Sequence, residues 1–216
     1  MSELAPQVRW CAIEDGVIVL DIARGAYFAL DPATSHDWKI FCEGGGKCRP
    51  AFLEAIRAQG WLSGPEPGPQ PSRARIGSLA RCSPYCLAFA CLLLARWRLQ
   101  RRGFADGYHW AQSWSGSNIR SRRPLDVDLH RFVAVEGWVP SVLGERDCLP
   151  RSLGLFVYLR ALGHDVRHVI GVARFPFSAH AWVETGGEAL LERVIEQKPL
   201  PGSRAPQGRT PIAIIV

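Results

Sequence analysis

Residues 64–72, GPEPGPQPS, place four prolines and two glycines in nine positions. Proline fixes φ and has no N–H to donate, so neither a helix interior nor a central strand can pass through this segment. It follows an amphipathic stretch ending at Trp61 and Leu62. The chain is therefore expected to fold as two bodies, residues 1–63 and 73–216, with 64–72 as the linker between them. No internal repeat and no other low-complexity segment is present. At 216 residues, 47% hydrophobic and 21% charged, the composition is that of a globular protein able to bury a core, which excludes a disordered or fibrous chain.

Several function classes drop out early. No apolar run approaches the roughly 18 residues a membrane span needs. The longest, residues 86–95, is bracketed by Arg81 and Arg96. The opening MSELAPQVRW has neither a basic start nor an apolar stretch, so no signal peptide, no membrane partner and a cytoplasmic location are expected. The seven cysteines are odd in number and are expected as free thiols. Cys82, Cys86 and Cys91 match no common zinc or iron–sulfur spacing and read as small hydrophobes on a buried helix, as do Cys11, Cys42 and Cys48 elsewhere. The net charge of +6 is concentrated in residues 73–131, where eleven Arg face three Asp. Such a stripe raises nucleic-acid binding as a hypothesis. Only three of the 26 basic residues are Lys, however, so an arginine bias runs through the whole chain and a solvated face is the better reading, with no nucleic-acid partner.

In the first body, residues 16–30 (GVIVLDIARGAYFAL) read as a β-hairpin turning at Ala23-Arg24-Gly25. Asp31 or Thr34 caps a helix through Trp38, Ile40 and Phe41 that stops at Gly44-Gly45-Gly46, and a second helix runs from Pro50 to Gly60. Strands with short helices in so few residues describe a small winged-helix-like module with no catalytic cluster of its own. In the second body, Ser83, Pro84 and Gly103 punctuate a helix that is apolar nearly all round from Leu87 to Trp97, which points to a central buried helix. Asp126 or Asp128 starts another through Phe132 and Val135, broken at Gly137. Residues 110–117 (WAQSWSGS) read as loop, and 103–121 carry no assignable role.

The chemistry lies in residues 146–192. Cys148 opens a run with Leu149, Leu153, Phe156 and Leu159 at helical spacing, with Asp147 as its cap and Pro150 tolerable only in a first turn. A thiol at a helix start meets unpaired N–H groups and the positive end of the dipole, which favour thiolate and can also hold an oxyanion. Two strands follow, residues 168–172 (HVIGV) and 179–184 (AHAWVE), and Gly186-Gly187 turns into 189–192 (ALLE). His180, Trp182 and Glu184 share a strand face, and Glu192 lies one strand over, where a carboxylate can fix an imidazole tautomer. Helix cysteine, strand histidine and next-strand carboxylate, in that chain order, is the arrangement of papain-like and transglutaminase-like hydrolases. His164 and His168 span a turn and are not expected to form a zinc pair. His36, His109 and His130 have no local partner.

The runs Cys148-Leu149-Pro150-Arg151-Ser152-Leu153, Leu159-Arg160-Ala161-Leu162-Gly163, Val169-Ile170-Gly171-Val172 and Phe175-Pro176-Phe177-Ser178-Ala179-His180-Ala181-Trp182-Val183-Glu184 strongly resemble the lasso-peptide biosynthesis B proteins. These are leader-peptide cysteine proteases with a transglutaminase-like fold. Residues 17–30 resemble the winged-helix leader-recognition element fused to, or encoded beside, that protease. The resemblance implies an α+β chain in which a winged-helix-like N-terminal module precedes a papain/transglutaminase-like cysteine protease domain. It makes Cys148 the nucleophile and His180 the base and acid. The third member in that family is an Asp twelve residues after the His, where this chain has Glu192, with Glu184 as fallback. The leader of the precursor peptide would add along the second hairpin strand at Tyr27, Phe28, Ala29 and Leu30. The freed amine would pass to a separate ATP-dependent macrolactam synthetase. No cofactor is implied for this chain, because Gly44-Gly45-Gly46-Lys47 lacks the spacing of a phosphate loop. A transglutaminase-like acyltransferase using the same residues, and a non-catalytic peptide- or nucleic-acid-binding protein with Cys148 merely buried, remain the alternatives.

Overall fold

The computed structural model describes residues 4–14, 16–44, 48–63, 83–114, 123–138, 148–173, 177–190 and 212–215. Two compact units divide the chain, Met1–Gln70 and Pro71–Val216. The linker at 64–72 lies outside the described residues.

In the first unit a three-stranded antiparallel sheet precedes two helices. Strands β1 (Val8–Ile13), β2 (Gly16–Asp21) and β3 (Ala26–Leu30) pair in the order β1-β2-β3. The β2–β3 hairpin closes through Gly25 at φ 62°, a left-handed conformation that glycine adopts without a Cβ clash. Strand β1 escaped the sequence reading, and its burial does not alternate, since Val8 and Cys11 are buried and Ala12 is exposed. Helix α1 (Pro32–Glu43) begins where the Asp31 carboxylate accepts from the Ala33 and Thr34 N–H groups, and ends at Gly44 with φ 69°. Helix α2 (Pro50–Ala58) follows. Trp38 is fully buried and packs edge-on against Phe52 and Trp61, over Val17 and Val19 of β2. The Trp61 indole N–H donates to the buried Asp21 carboxylate at 3.0 Å, which satisfies both groups.

The second unit sets helices against a sheet of order β6-β5-β4-β7. Helix α3 (Pro84–Ser113) starts at Ser83, whose side chain makes no capping bond, and breaks at Gly103 (φ 84°, ψ 179°) before resuming. Gly103 therefore ends a helix as expected, but 110–113, read as loop, are helical. The expectation that α3 is buried all round also fails. Leu87, Ala88, Cys91, Leu92 and Ala95 face inward, whereas Phe89, Leu93, Leu94 and Trp97 are more than 40% exposed and Cys86 is exposed. Helix α4 (Leu125–Glu136) follows, with Asp126 and Asp128 in its first turn.

The central buried helix is α5 (Cys148–Ala161), on which Leu153, Leu155, Val157, Tyr158 and Leu159 are all inaccessible. It approaches α3 through Gly154, where an added Cβ would lie 3.2 Å from Leu92 Cα. Strands β4 (Arg167–Ala173) and β5 (Ser178–Thr185) pair antiparallel with Gly171 opposite His180. Gly186 (φ 57°) and Gly187 (φ 84°) turn β5 into β6 (Glu188–Ala189), the two-residue hairpin whose central positions both need positive φ. Strand β7 (Ile212–Ile215) pairs with the other edge of β4 and was not anticipated from the sequence.

Candidate active site

Cys148 is the first residue of α5, and no acidic side chain occupies that first turn to oppose the positive end of the helix dipole. The proposed cap Asp147 lies outside the described residues. Helix α5 packs on β5, and this contact brings the thiol to the strand that carries His180. The His180 side chain hydrogen-bonds the Cys148 thiol, and the Ala181 backbone N–H donates to the same sulfur. These interactions, with the His180 bond the largest, hold the Cys148 pKa below its ordinary value against the opposing effect of burial.

Four other cysteines run the opposite way. Burial raises Cys11 and Cys42 to about 11 and Cys91 to about 12, and it also raises Cys48. The opposite direction of its shift sets Cys148 apart from these four thiols. All six cysteines among the described residues are free.

His180 lies in the exposed first part of β5, its ring stacked on that of Trp182 at 6.0 Å between centroids and 20° between planes. Alternation along the strand puts His180, Trp182 and Glu184 on one face. Glu184 is four residues from His180, about 13 Å along an extended strand, which is beyond the reach of a carboxylate–imidazole hydrogen bond. It sits instead opposite Arg167 and Ala189. Glu192 lies outside the described residues.

A model of the transglutaminase-like superfamily matches residues 86–200, more than half of the chain. The chain belongs to that superfamily. The match spans α3, α4, α5 and β4 to β6, and so includes Cys148 and His180. Neither the curated proteins nor the solved structures compared with the chain gave a match. Members of the transglutaminase-like superfamily are typically cysteine-dependent enzymes.

Further along α5 and β4 stand residues that sequence reasoning left without a role. Arg151, one turn past Cys148, directs Nε and Nη2 at the two carboxylate oxygens of Glu136, the last residue of α4. Ser152 Oγ donates to the Leu149 carbonyl at 3.1 Å and lies 2.9 Å from His168 Nε2. His168 is fully buried on β4, and desolvation depresses its pKa to about 3. His164 bonds the buried Asp128 at 2.9 Å and ties the turn after α5 to α4. No group of three or more His, Cys, Asp or Glu suited to a metal ion occurs among the described residues.

The residues expected to receive a leader peptide lie apart from this site in sequence, on β3. Tyr27, Phe28, Ala29 and Leu30 pair with Leu20, Val19, Ile18 and Val17 of β2, and β3 has no second strand neighbour among the described residues. The Phe28 ring packs 5.1 Å from that of Trp61 and so belongs to the core, while Ala29 is exposed. What β3 offers a partner is its backbone edge more than its side chains.

Proposed function

We propose that the chain is a cysteine peptidase that removes the leader from a lasso-peptide precursor. The observation that carries this reading is the hydrogen bond joining the Cys148 thiol to His180 at the start of a helix. The thiolate attacks the scissile carbonyl carbon, and the C=O electron pair moves onto oxygen as the S–C bond forms. The helix-terminal N–H groups stabilise that oxyanion. Protonated His180 gives its proton to the departing amine as the C–N bond breaks, which leaves a thioester on Cys148. His180 then takes a proton from water as its oxygen attacks the thioester carbon, the C–S bond breaks with its electron pair returning to Cys148 as thiolate, and the leader leaves with a new carboxylate. Glu192 would orient the imidazole.

Substrate choice falls to the first unit, read as a winged-helix-like leader-recognition module. The leader adds to β3 along residues 27–30 and raises the local concentration of the scissile bond at Cys148. This assignment is supported by the sequence resemblance over residues 17–30 and 148–184 and by the edge position of β3. The partners implied are the precursor peptide and an ATP-dependent macrolactam synthetase that consumes the freed amine. An acyltransferase would share every step up to the thioester and differ only in the acceptor.

The test is cleavage of a peptide library in H2(18)O with mass-spectrometric readout. The proposal expects new C-termini carrying one 18O with the wild type and none with Cys148→Ala. Amide products with an added amine would favour the acyltransferase. No Cys148-dependent product of either kind would refute both.

A further inference from the structure

Helix α5 and the sheet must keep a fixed separation if Cys148 is to meet His180, because one group rides on each. A buried polar chain crosses that seam one turn below the thiol. Ser152 Oγ carries one hydrogen, and it donates to the Leu149 carbonyl. At 2.9 Å the same oxygen must then accept from His168 Nε2–H, which fixes the tautomer and leaves Nδ1 as a bare lone pair. His168 Nδ1 has no hydrogen-bond partner, and the residue is only 1% exposed. An imidazole buried with one nitrogen unsatisfied costs free energy that an apolar side chain at this position would not. Val183 stands opposite it on β5 and Phe156 of α5 lies edge-on to its ring at 6.0 Å. Among the described residues no ion pair reaches its ring, and burial alone depresses its pKa.

What His168 does hold is the first turn of α5. Its chain runs from β4 through Ser152 to Leu149, the residue next to Cys148. The Arg151–Glu136 fork also ties this turn, to α4. We propose that His168 is a positioning residue for Cys148, holding the nucleophile's turn in register with the β-sheet that carries His180 by way of Ser152. This rests on the catalytic pairing of Cys148 with His180 proposed above. His168 is not itself a catalytic residue, since nothing places it at the thiol.

The test is the pH profile of Cys148 alkylation by iodoacetamide, followed by peptide mass spectrometry on the full-length protein. Ser152→Ala breaks the chain with a small, buriable truncation. His168→Leu removes the donor, and His168→Gln keeps an amide N–H near the Nε2 position. Only thiolate reacts, so each unit by which the apparent pKa of Cys148 rises slows alkylation well below that pKa about tenfold. The proposal expects Ser152→Ala and His168→Leu to move the profile upward by about a unit toward that of an ordinary thiol, with His168→Gln near the wild type. A merely structural role would lower the melting temperature and leave the profile of the folded protein where it was. That result with Ser152→Ala alone overturns the proposal, even if His168→Leu does not fold. If the wild-type profile is itself that of an ordinary thiol, the Cys148–His180 pairing fails instead, so the two failures are told apart.

Discussion

The buried imidazole of His168 makes acid sensitivity a quantitative consequence of the fold. Its pKa falls from the ordinary 6.5 to about 3 because burial opposes the charged form. Below pH 6.5 the unfolded chain takes up a proton at this residue that the folded chain refuses. The stability that neutral His168 contributes is therefore complete above pH 6.5 and is lost progressively as pH falls toward 3. The slope is about 1.4 kcal/mol per pH unit. Lowering pH from 7.5 to 4.5 thus costs on the order of 2–3 kcal/mol through His168 alone. His168→Gln cannot titrate, and other groups cancel when the two proteins are compared. Urea unfolding followed by circular dichroism at both pH values should show the wild type losing about 2–3 kcal/mol more than the variant. Equal losses would refute the reasoning.

Three further outcomes follow from the packing. Gly154→Ala gains about 1 kcal/mol of helix propensity, but its Cβ would lie 3.2 Å from Leu92 Cα and 3.4 Å from the Cys91 carbonyl. These are backbone atoms that move only if α3 moves, so overpacking should prevail and thermal melting should show net destabilisation of about 1 kcal/mol. Trp61→Phe keeps the aromatic volume but leaves the buried Asp21 without its indole donor, which should lower the stability of the first unit by about 1–3 kcal/mol in urea unfolding. Glu136→Gln weakens the fork on Arg151 and should slow Cys148 alkylation near neutral pH, whereas Asp165→Asn should not, because Asp165 is fully exposed in its pair with Arg160.

The elements with their own local punctuation were legible in the sequence. Asp31, one of two caps the sequence offered, and the glycines at 25 and 44 marked the hairpin and α1. The turn at Gly186 and Gly187 was equally plain. Burial was harder, because hydrophobicity names a residue and not its neighbours. Helix α3 looked apolar all round, yet its Phe89, Leu93 and Trp97 are exposed, while α5, with Cys148, Arg151 and Ser152 along its start, is the helix that is enclosed. Residues 110–113 resume a helix past Gly103 because Tyr108 and Ala111 bury there, a tertiary gain that no cap signals. Strand β7 needs β4 as its template and is far from it in sequence. At the candidate site, the sequence placed Cys148 at a helix start and His180 on a strand, which is where α5 and β5 carry them. The Ser152–His168 and Arg151–Glu136 bonds could not, since they depend on how α5 seats against β4 and α4. Glu192 lies outside the described residues, whereas Glu184 is described and too far along β5 to orient His180.

The central claim is that Cys148 and His180 form a thiolate–imidazolium pair, and site-resolved alkylation tests it most directly. Iodoacetamide labelling from pH 5 to 9, read at each cysteine, should show Cys148 reacting fast below neutral pH while Cys11, Cys42 and Cys91 stay inert. That advantage should vanish in His180→Ala, where the largest contribution lowering the thiol pKa is gone. A Cys148 that titrates like an ordinary thiol, or keeps its low-pH reactivity without His180, would contradict the account.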